Sequence, residues 1–223
     1  MKACTTFVIC FLYWQIGLSQ DIQLGLIGGM TLLQGDYPSY RLKDTFTVLA
    51  NPGIGFFIRK PINEKLSIKG SFYLTSFEGD DRLDPNLIGV RNPSSFKYAA
   101  SELLITAEYA PVRFILAGKD IDFYLLAGAG FSKTTFKNSI ADDGCPVINP
   151  VIPLGLGVRS QISELLTLSL QFEYVNALND CLDGFKGITN KRDVYSSLKL
   201  GLSYGLSSLG NSINGKSIGC PTF

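Results

Sequence analysis

Three glutamates, Glu102, Glu108 and Glu173, and four cations, Arg59, Lys69, Arg159 and Lys199, stand inside segments that are otherwise apolar or small. Carboxylates held together away from water are the material of general acid–base catalysis, in which one gives and another takes a proton. The same carboxylates interleaved with cations are also the composition of a self-neutralising cluster, because a buried charge is costly unless it is paired. The chain contains no histidine. That removes Ser-His and Cys-His nucleophilic sites and every histidine metal site. No CxxC spacing marks a zinc site, so neither a metal nor another cofactor is expected. Four positive against three negative charges is close to balance, and a cluster enclosed on all sides would admit no small-molecule substrate. The residues therefore favour a structural role over an acid–base enzyme.

The elements that must carry these charges repeat with a period of two. In Val151–Tyr174, Ile152, Leu154, Leu156 and Val158 alternate with Pro153, Gly155, Gly157 and Arg159. After a polar break, Leu166, Leu168, Leu170, Phe172 and Tyr174 alternate with Thr167, Ser169, Gln171 and Glu173. Period two means a strand with two different faces, and two such strands across a short turn form a hairpin. An apolar face about ten residues long, opposed by a polar one, is the pattern of a transmembrane β-strand. Six further segments repeat it: Ile22–Leu32, Gly53–Arg59 (with a start as early as Val48), Leu66–Phe77, Lys97–Tyr109, Asp122–Lys133 and Asp193–Leu206. The expected fold is all-β, an eight-stranded antiparallel transmembrane β-barrel.

In this barrel the charges belong to the inward face, with Gly25, Gly29, Gly53, Gly55, Gly128, Gly130, Gly155, Gly157 and Gly201. Eight strands leave room inside only for side chains, and a narrow lumen favours glycine. A soluble barrel of the lipocalin kind would instead turn its apolar side inward and carry more Lys and Glu on its wet face. Strand direction pairs the charges by height: Lys69 with Glu108 near one end, Glu173 with Lys199 toward the other. The expectation is a lumen plugged by ion pairs and glycine packing.

Around the strands the chain is organised simply. Residues 1–19 read as a secretory signal, with Lys2, an apolar core from Phe7 to Trp14 and Gly17-Leu18-Ser19 before the cut; a cut after Gln20 also fits. The barrel occupies 20–206, and 207–223 is a tail whose polar part begins at Asn211. Connections alternate. Leu33–Thr47, Glu78–Phe96, Thr134–Pro150 and Asn176–Arg192 are long, Lys60–Lys65 and Ser160–Leu165 are short, and Ala110–Ile121 is intermediate. Outer-membrane barrels have long outer loops and short periplasmic turns. This places both termini in the periplasm of a bacterial outer-membrane protein, with membrane lipid as its first partner. The formal charge of +1 offers no field for nucleic acid. Cys145 and Cys181 fall in long loops on one side, where a disulfide is permitted, while Cys220 lies on the other; spacing alone leaves the connectivity open. The tail, with Lys216, Cys220 and the closing Phe223, is dispensable for barrel closure and is a candidate partner contact.

Several short segments are shared with a known family. They are Gly28-Gly29, Gly35-Asp36-Tyr37, Pro52-Gly53-Ile54-Gly55-Phe56-Phe57-Ile58-Arg59, Gly79-Asp80-Asp81, Arg91-Asn92 and Ser95-Phe96. Ile152-Pro153-Leu154-Gly155-Leu156-Gly157-Val158-Arg159, Asp180-Cys181-Leu182-Asp183, Leu200-Gly201-Leu202-Ser203-Tyr204 and Cys220-Pro221-Thr222-Phe223 complete the set. On these the chain resembles the PorG-type family of small outer-membrane β-barrels, a component of the type IX protein secretion machinery. The resemblance implies a non-enzymatic part of a secretion machinery that docks periplasmic secretion-ring proteins or lipoproteins, and it supplies no catalytic residues. Two other functions fit a barrel. One is a structural or adhesion barrel acting through its long loops. The other is a lipid-modifying barrel enzyme, which the absence of histidine disfavours.

Overall fold

A computed structural model describes residues 22–34, 40–41, 47–48, 50–80, 95–116, 119–135, 146–163, 165–179, 182 and 193–206. The signal-like stretch 1–19, both loop cysteines and the tail 207–223 lie outside these residues. Among them are ten strands: β1 (Gln23–Gln34), β2 (Tyr40–Arg41), β3 (Thr47–Val48), β4 (Asn51–Pro61), β5 (Leu66–Asp80), β6 (Ser95–Leu116), β7 (Lys119–Thr135), β8 (Ile148–Gln161), β9 (Leu166–Ala177) and β10 (Val194–Gly205). Eight of these, all but the short ribbon of β2 and β3, form a closed antiparallel barrel in the order β1-β10-β9-β8-β7-β6-β5-β4. The sheet closes where β1 meets both β10, from Gln23↔Gly205 to Gln34↔Val194, and β4, from Gln23↔Arg59 to Thr31↔Asn51. Closure leaves the barrel no open edge.

The period-two sequence dictates which way each side chain points. On β9, Leu168, Leu170, Phe172 and Tyr174 are exposed on the outer wall, while Ser169, Gln171 and Glu173 are buried inside. The same inversion of the usual rule, apolar out and polar in, holds on β10 for Leu198, Leu200 and Leu202 against Ser197, Lys199 and Ser203. Inward glycines leave slots that neighbouring rings fill. A Cβ on Gly157 would stand 2.5 Å from Cζ of Tyr124, its cross-strand partner, and one on Gly53 would stand 2.5 Å from the ring of Tyr73. Gly25 serves Phe57 in the same way. Aromatic cover of strand glycines pins register.

The chain's two described ends meet at the short-turn end of the barrel, where the Leu206 amide donates to the Ile22 carbonyl at 2.8 Å. The turns after β4 and β8 stand at the same end. Each is closed by a backbone hydrogen bond: the Ile62 amide donates to the Leu66 carbonyl and the Ile162 amide to the Leu166 carbonyl, both at 2.8 Å. At the opposite, long-loop end, an apolar cluster fills the interior, including Leu33, Phe77, Tyr98, Val151, Val175 and Tyr195. Phe77 and Tyr195 pack ring to ring at 5.1 Å. Leu182, between β9 and β10, is fully buried in this cluster, its amide held by Asp193 Oδ2 at 2.6 Å.

One connection differs from expectation. Ala110–Ile121 is almost entirely strand, with only 117–118 between β6 and β7. Val112 to Leu116 is a run of strong β-formers apart from Arg113, and it pairs with Lys119 to Phe123. A register shift between Tyr109 and Val112 accommodates Pro111, which has no amide to give to a ladder. β4 begins at Asn51, within the expected range, while β8 begins earlier than expected, at Ile148.

Candidate functional site

The lumen holds the charged residues in one connected network. Glu108 on β6 is its hub. Arg59 Nε donates to Glu108 Oε2 at 2.8 Å and Arg59 Nη2 to Oε1 at 3.3 Å. Lys69 Nζ lies 2.8 Å from Oε1, and Arg159 Nη1 3.4 Å from Oε2. Lys69 stands on β5, beside β6, but Arg59 and Arg159 reach Glu108 from β4 and β8 over the strands between. Side chains of this length meet across the lumen because eight strands make it only that wide.

From this hub the network runs both ways. Toward the turn end, Arg159 Nε donates to Asp122 Oδ2 at 3.0 Å, Arg113 Nε donates to Asp122 Oδ1 at 2.6 Å, and Arg59 Nη1 donates to Gln23 Oε1 at 3.3 Å. Toward the loop end, Lys69 Nζ donates to Gln171 Oε1 at 2.7 Å, and Gln171 Nε2 donates to Glu173 Oε1, also at 2.7 Å. Lys199 then stands between two carboxylates, 2.6 Å from Glu173 Oε2 and 3.3 Å from Glu102 Oε2. Lumenal rings face the cations: Arg59 lies 5.0 Å from the centroid of Phe57 and Lys199 4.3 Å from that of Tyr73. Such contacts strengthen where water is excluded.

Two of the residue pairs named from sequence are thus adjacent, Lys69 with Glu108 and Glu173 with Lys199. Arg59, Arg159 and Glu102 join the same network. Sequence reasoning left out Asp122, although it shares the inward phase of Tyr124 and Leu126. It also left out Gln171, whose neutral side chain gives no charge signal. With Asp122 included, the four inward cations Arg59, Lys69, Arg159 and Lys199 face four carboxylates, Glu102, Glu108, Asp122 and Glu173. Arg113 adds a further, half-exposed cation at the mouth. The proposed contacts Cys145, Cys181, Lys216, Cys220 and Phe223 lie outside the described residues.

The chemistry open to this set is limited. Arg59 and Glu108 have 1% and 0% of their side chains exposed, and each carboxylate of the core is taken up by one or more cations. A general base needs both an accessible proton to abstract and a substrate within reach, and this arrangement provides neither. Among the described residues no group of three or more Cys, Asp or Glu is placed to hold a metal ion. At the turn end the network opens into a polar cup of about 520 Å³, lined among others by Asn63, Glu64, Arg113, Asp120, Asp122 and Arg159.

No protein-family model matches the sequence. No curated protein matches it either. Solved structures do match in fold. Neisserial surface protein A aligns with a TM-score of 0.50 at 10% identity, covering 82% of this chain and 96% of that one. The outer membrane protein OprG of Pseudomonas aeruginosa aligns with a TM-score of 0.47 at 11% identity, over 82% and 95% of the two chains. Ail, the attachment invasion locus protein of Yersinia pestis, gives 0.44 at 14% identity, over 83% and 98%. At these identities the likeness concerns the fold alone: a closed eight-stranded antiparallel barrel of the outer-membrane type.

Proposed function

We propose that this chain is a non-enzymatic barrel of the bacterial outer membrane that serves as a component of a type IX-like protein secretion machinery, docking a periplasmic ring or lipoprotein. The observation that carries the reading is the filled lumen. A core of buried, mutually neutralised charges lies below an apolar plug that includes Leu33, Phe77 and Leu182. A barrel whose described residues offer neither an open path nor an accessible reactive group acts through its ends and its outer wall. The outer wall supports the membrane location, since it exposes Leu26, Ile54, Ile105, Leu125, Leu156 and Leu200, among others. A soluble protein does not leave so continuous an apolar surface in water.

By the usual orientation of such barrels the short turns and both termini face the periplasm. The docking surface is then the turn end, with its polar cup, the turns at Ile62–Lys65 and 162–165, and the tail that follows Leu206 with Lys216, Cys220 and Phe223. The secretion role rests on the resemblance of short segments of this chain to the PorG-type family. Cys145 and Cys181 fall on the outer side in this orientation, where a disulfide between them is proposed. Nucleic acid and small-molecule substrates have no part in the reading.

The test is affinity capture from outer membranes with partner identification, repeated after deletion of Asn211–Phe223. Co-purification of a periplasmic ring protein or lipoprotein, lost on deletion while the barrel still folds, is the expected result. Capture of no periplasmic protein by the intact chain would overturn docking, and would leave the structural or adhesion barrel working through its long loops.

A further inference from the structure

The lumenal charges are not shared evenly. Among the described residues, four cations, Arg59, Lys69, Arg113 and Arg159, are ion-paired only to Glu108 and Asp122. Glu102 and Glu173 are ion-paired only to Lys199. The network therefore carries its excess of positive charge where the cations outnumber their partners. That is the end that opens into the polar cup, which Arg59, Arg113, Asp122 and Arg159 all line.

Hydrogen bonding is uneven in the same sense. Asp122 draws Arg113 and Arg159 together, accepting from Nε and Nη2 of the first at 2.6 and 3.3 Å and from Nε of the second at 3.0 Å. Arg159 Nη1 goes to Glu108 at 3.4 Å. That leaves Arg113 Nη1 and Arg159 Nη2 with no acceptor among the described residues. A guanidinium with one edge fixed and its remaining donors facing a concave site is preorganised for a carboxylate. A cleft of this kind also focuses the field of its excess charge. Two further carboxylates, Glu64 and Asp120, line the cup, but both are exposed, so water and salt screen them.

We propose that the cup is a carboxylate receptor, which seats a single acidic side chain from a peptide segment of the periplasmic partner against Arg113 and Arg159. The inference rests on the proposed docking at the turn end and names the chemistry of the partner there. Three features favour an acid carried on a peptide over a free anion. The cup's 520 Å³ lies in the range of sites that hold whole organic ligands, ~300–1,000 Å³. Ile62, Asn63 and Leu165 in its lining offer apolar and amide contacts to the chain on either side of the acid. Glu64 and Asp120 stand against any second negative charge, and so select against phosphate and against runs of acid.

The test uses the full chain folded in phosphatidylcholine nanodiscs. The probes are end-capped decapeptides of Gly and Ser with an uncharged fluorophore, read by anisotropy. Their central residue is Asp, Asn or Lys, or the three central residues are all Asp. The single-Asp peptide should bind about tenfold tighter than the Asn peptide, and the Lys and triple-Asp peptides should bind more weakly than the single-Asp one. Arg113→Gln should bring the single-Asp peptide down to the level of the Asn peptide, while the protein keeps its mobility difference between folded and boiled samples on gels. Glu64→Gln together with Asp120→Asn should raise the triple-Asp peptide above the single-Asp one, and decides the matter if Arg113→Gln fails to fold. Equal binding of the Asp and Asn peptides, or an Asp preference that survives Arg113→Gln, would overturn the receptor. Displacement of the single-Asp peptide by an equal concentration of inorganic phosphate would overturn the peptide and leave a site for a free anion. Capture of a periplasmic protein undiminished by Arg113→Gln would overturn the cup as its seat and leave docking at the turn end standing. Capture of none by the intact chain would overturn docking and the receptor with it.

Discussion

Glu108→Gln isolates the worth of the lumenal hub. The substitution keeps the shape of the side chain and removes its charge. Glu108 takes hydrogen bonds or ion pairs from Arg59, Lys69 and Arg159 at 2.8 to 3.4 Å. Neutralising it leaves those three cations with Asp122, bonded to Arg159, as the one carboxylate among the described residues still paired with any of them. Losing one partner of a buried pair costs about 3–5 kcal/mol, and a partner shared by three cations belongs to the upper part of that range. Arg113→Ala supplies the internal control. It breaks a pair of equally good geometry, 2.6 Å to Asp122, but its side chain is half exposed, so the expected loss is about 0.2–1 kcal/mol. Urea unfolding in lipid vesicles, followed by circular dichroism and by the mobility difference between folded and boiled protein on gels, measures both. Lys69→Met combined with Glu108→Met should recover about 0.5–3 kcal/mol relative to the sum of the single changes, because the pair is removed together. A Glu108→Gln loss no larger than that of Arg113→Ala would refute the reasoning, since it would mean the hub is solvated rather than sealed.

Three further outcomes follow from the same structure. Leu170→Arg puts a charge on the outer wall of β9 and should cost about 2–4 kcal/mol in the same vesicle titration, whereas a harmless result would mean the exposed face does not meet lipid. Gly157→Ala places a Cβ 2.5 Å from the Tyr124 ring, which donates from its hydroxyl to Gln171 at 3.2 Å; the displacement should cost about 1–3 kcal/mol in unfolding free energy. Protein reconstituted in planar bilayers should give no steady ion conductance, and a stable channel of porin size would show that the ionic core and apolar plug do not close the lumen.

The parts of this structure legible in the sequence are those set by local periodicity. Alternation of Leu168, Leu170 and Phe172 with Ser169, Gln171 and Glu173 fixes both the strand and its faces. It also assigned the lumenal charges to the inside before any partner was known. Lys69 and Glu108 could be paired because β5 and β6 are neighbours in a meander. The contacts of Arg59 and Arg159 with Glu108 skip a strand, and they depend on barrel radius and stagger, which no short segment encodes. Gln171 was overlooked for a related reason: its role is to link two charged clusters, and only the assembled lumen brings them within reach. The continuation of β6 beyond Tyr109 is hidden by Pro111, which reads as a strand terminator when the possibility of a register shift is not considered.

The ionic network also constrains how the molecule is made. Lys199 meets Glu102 from 97 positions away, and Lys69 meets Gln171 across 102, so these links, unlike the pairs of Lys69 with Glu108 and of Glu173 with Lys199 on neighbouring strands, are not available to a partial hairpin array. An intermediate lying in hydrocarbon would carry lone charges on its unfinished face and an unpaired backbone along its open edge, each costing several kcal/mol. Such intermediates are disfavoured at every stage short of the β1–β10 seam. Membrane entry and ring closure thus become a single cooperative step whose barrier is set by long-range encounters, and the chain is expected to insert slowly but without populated halfway states.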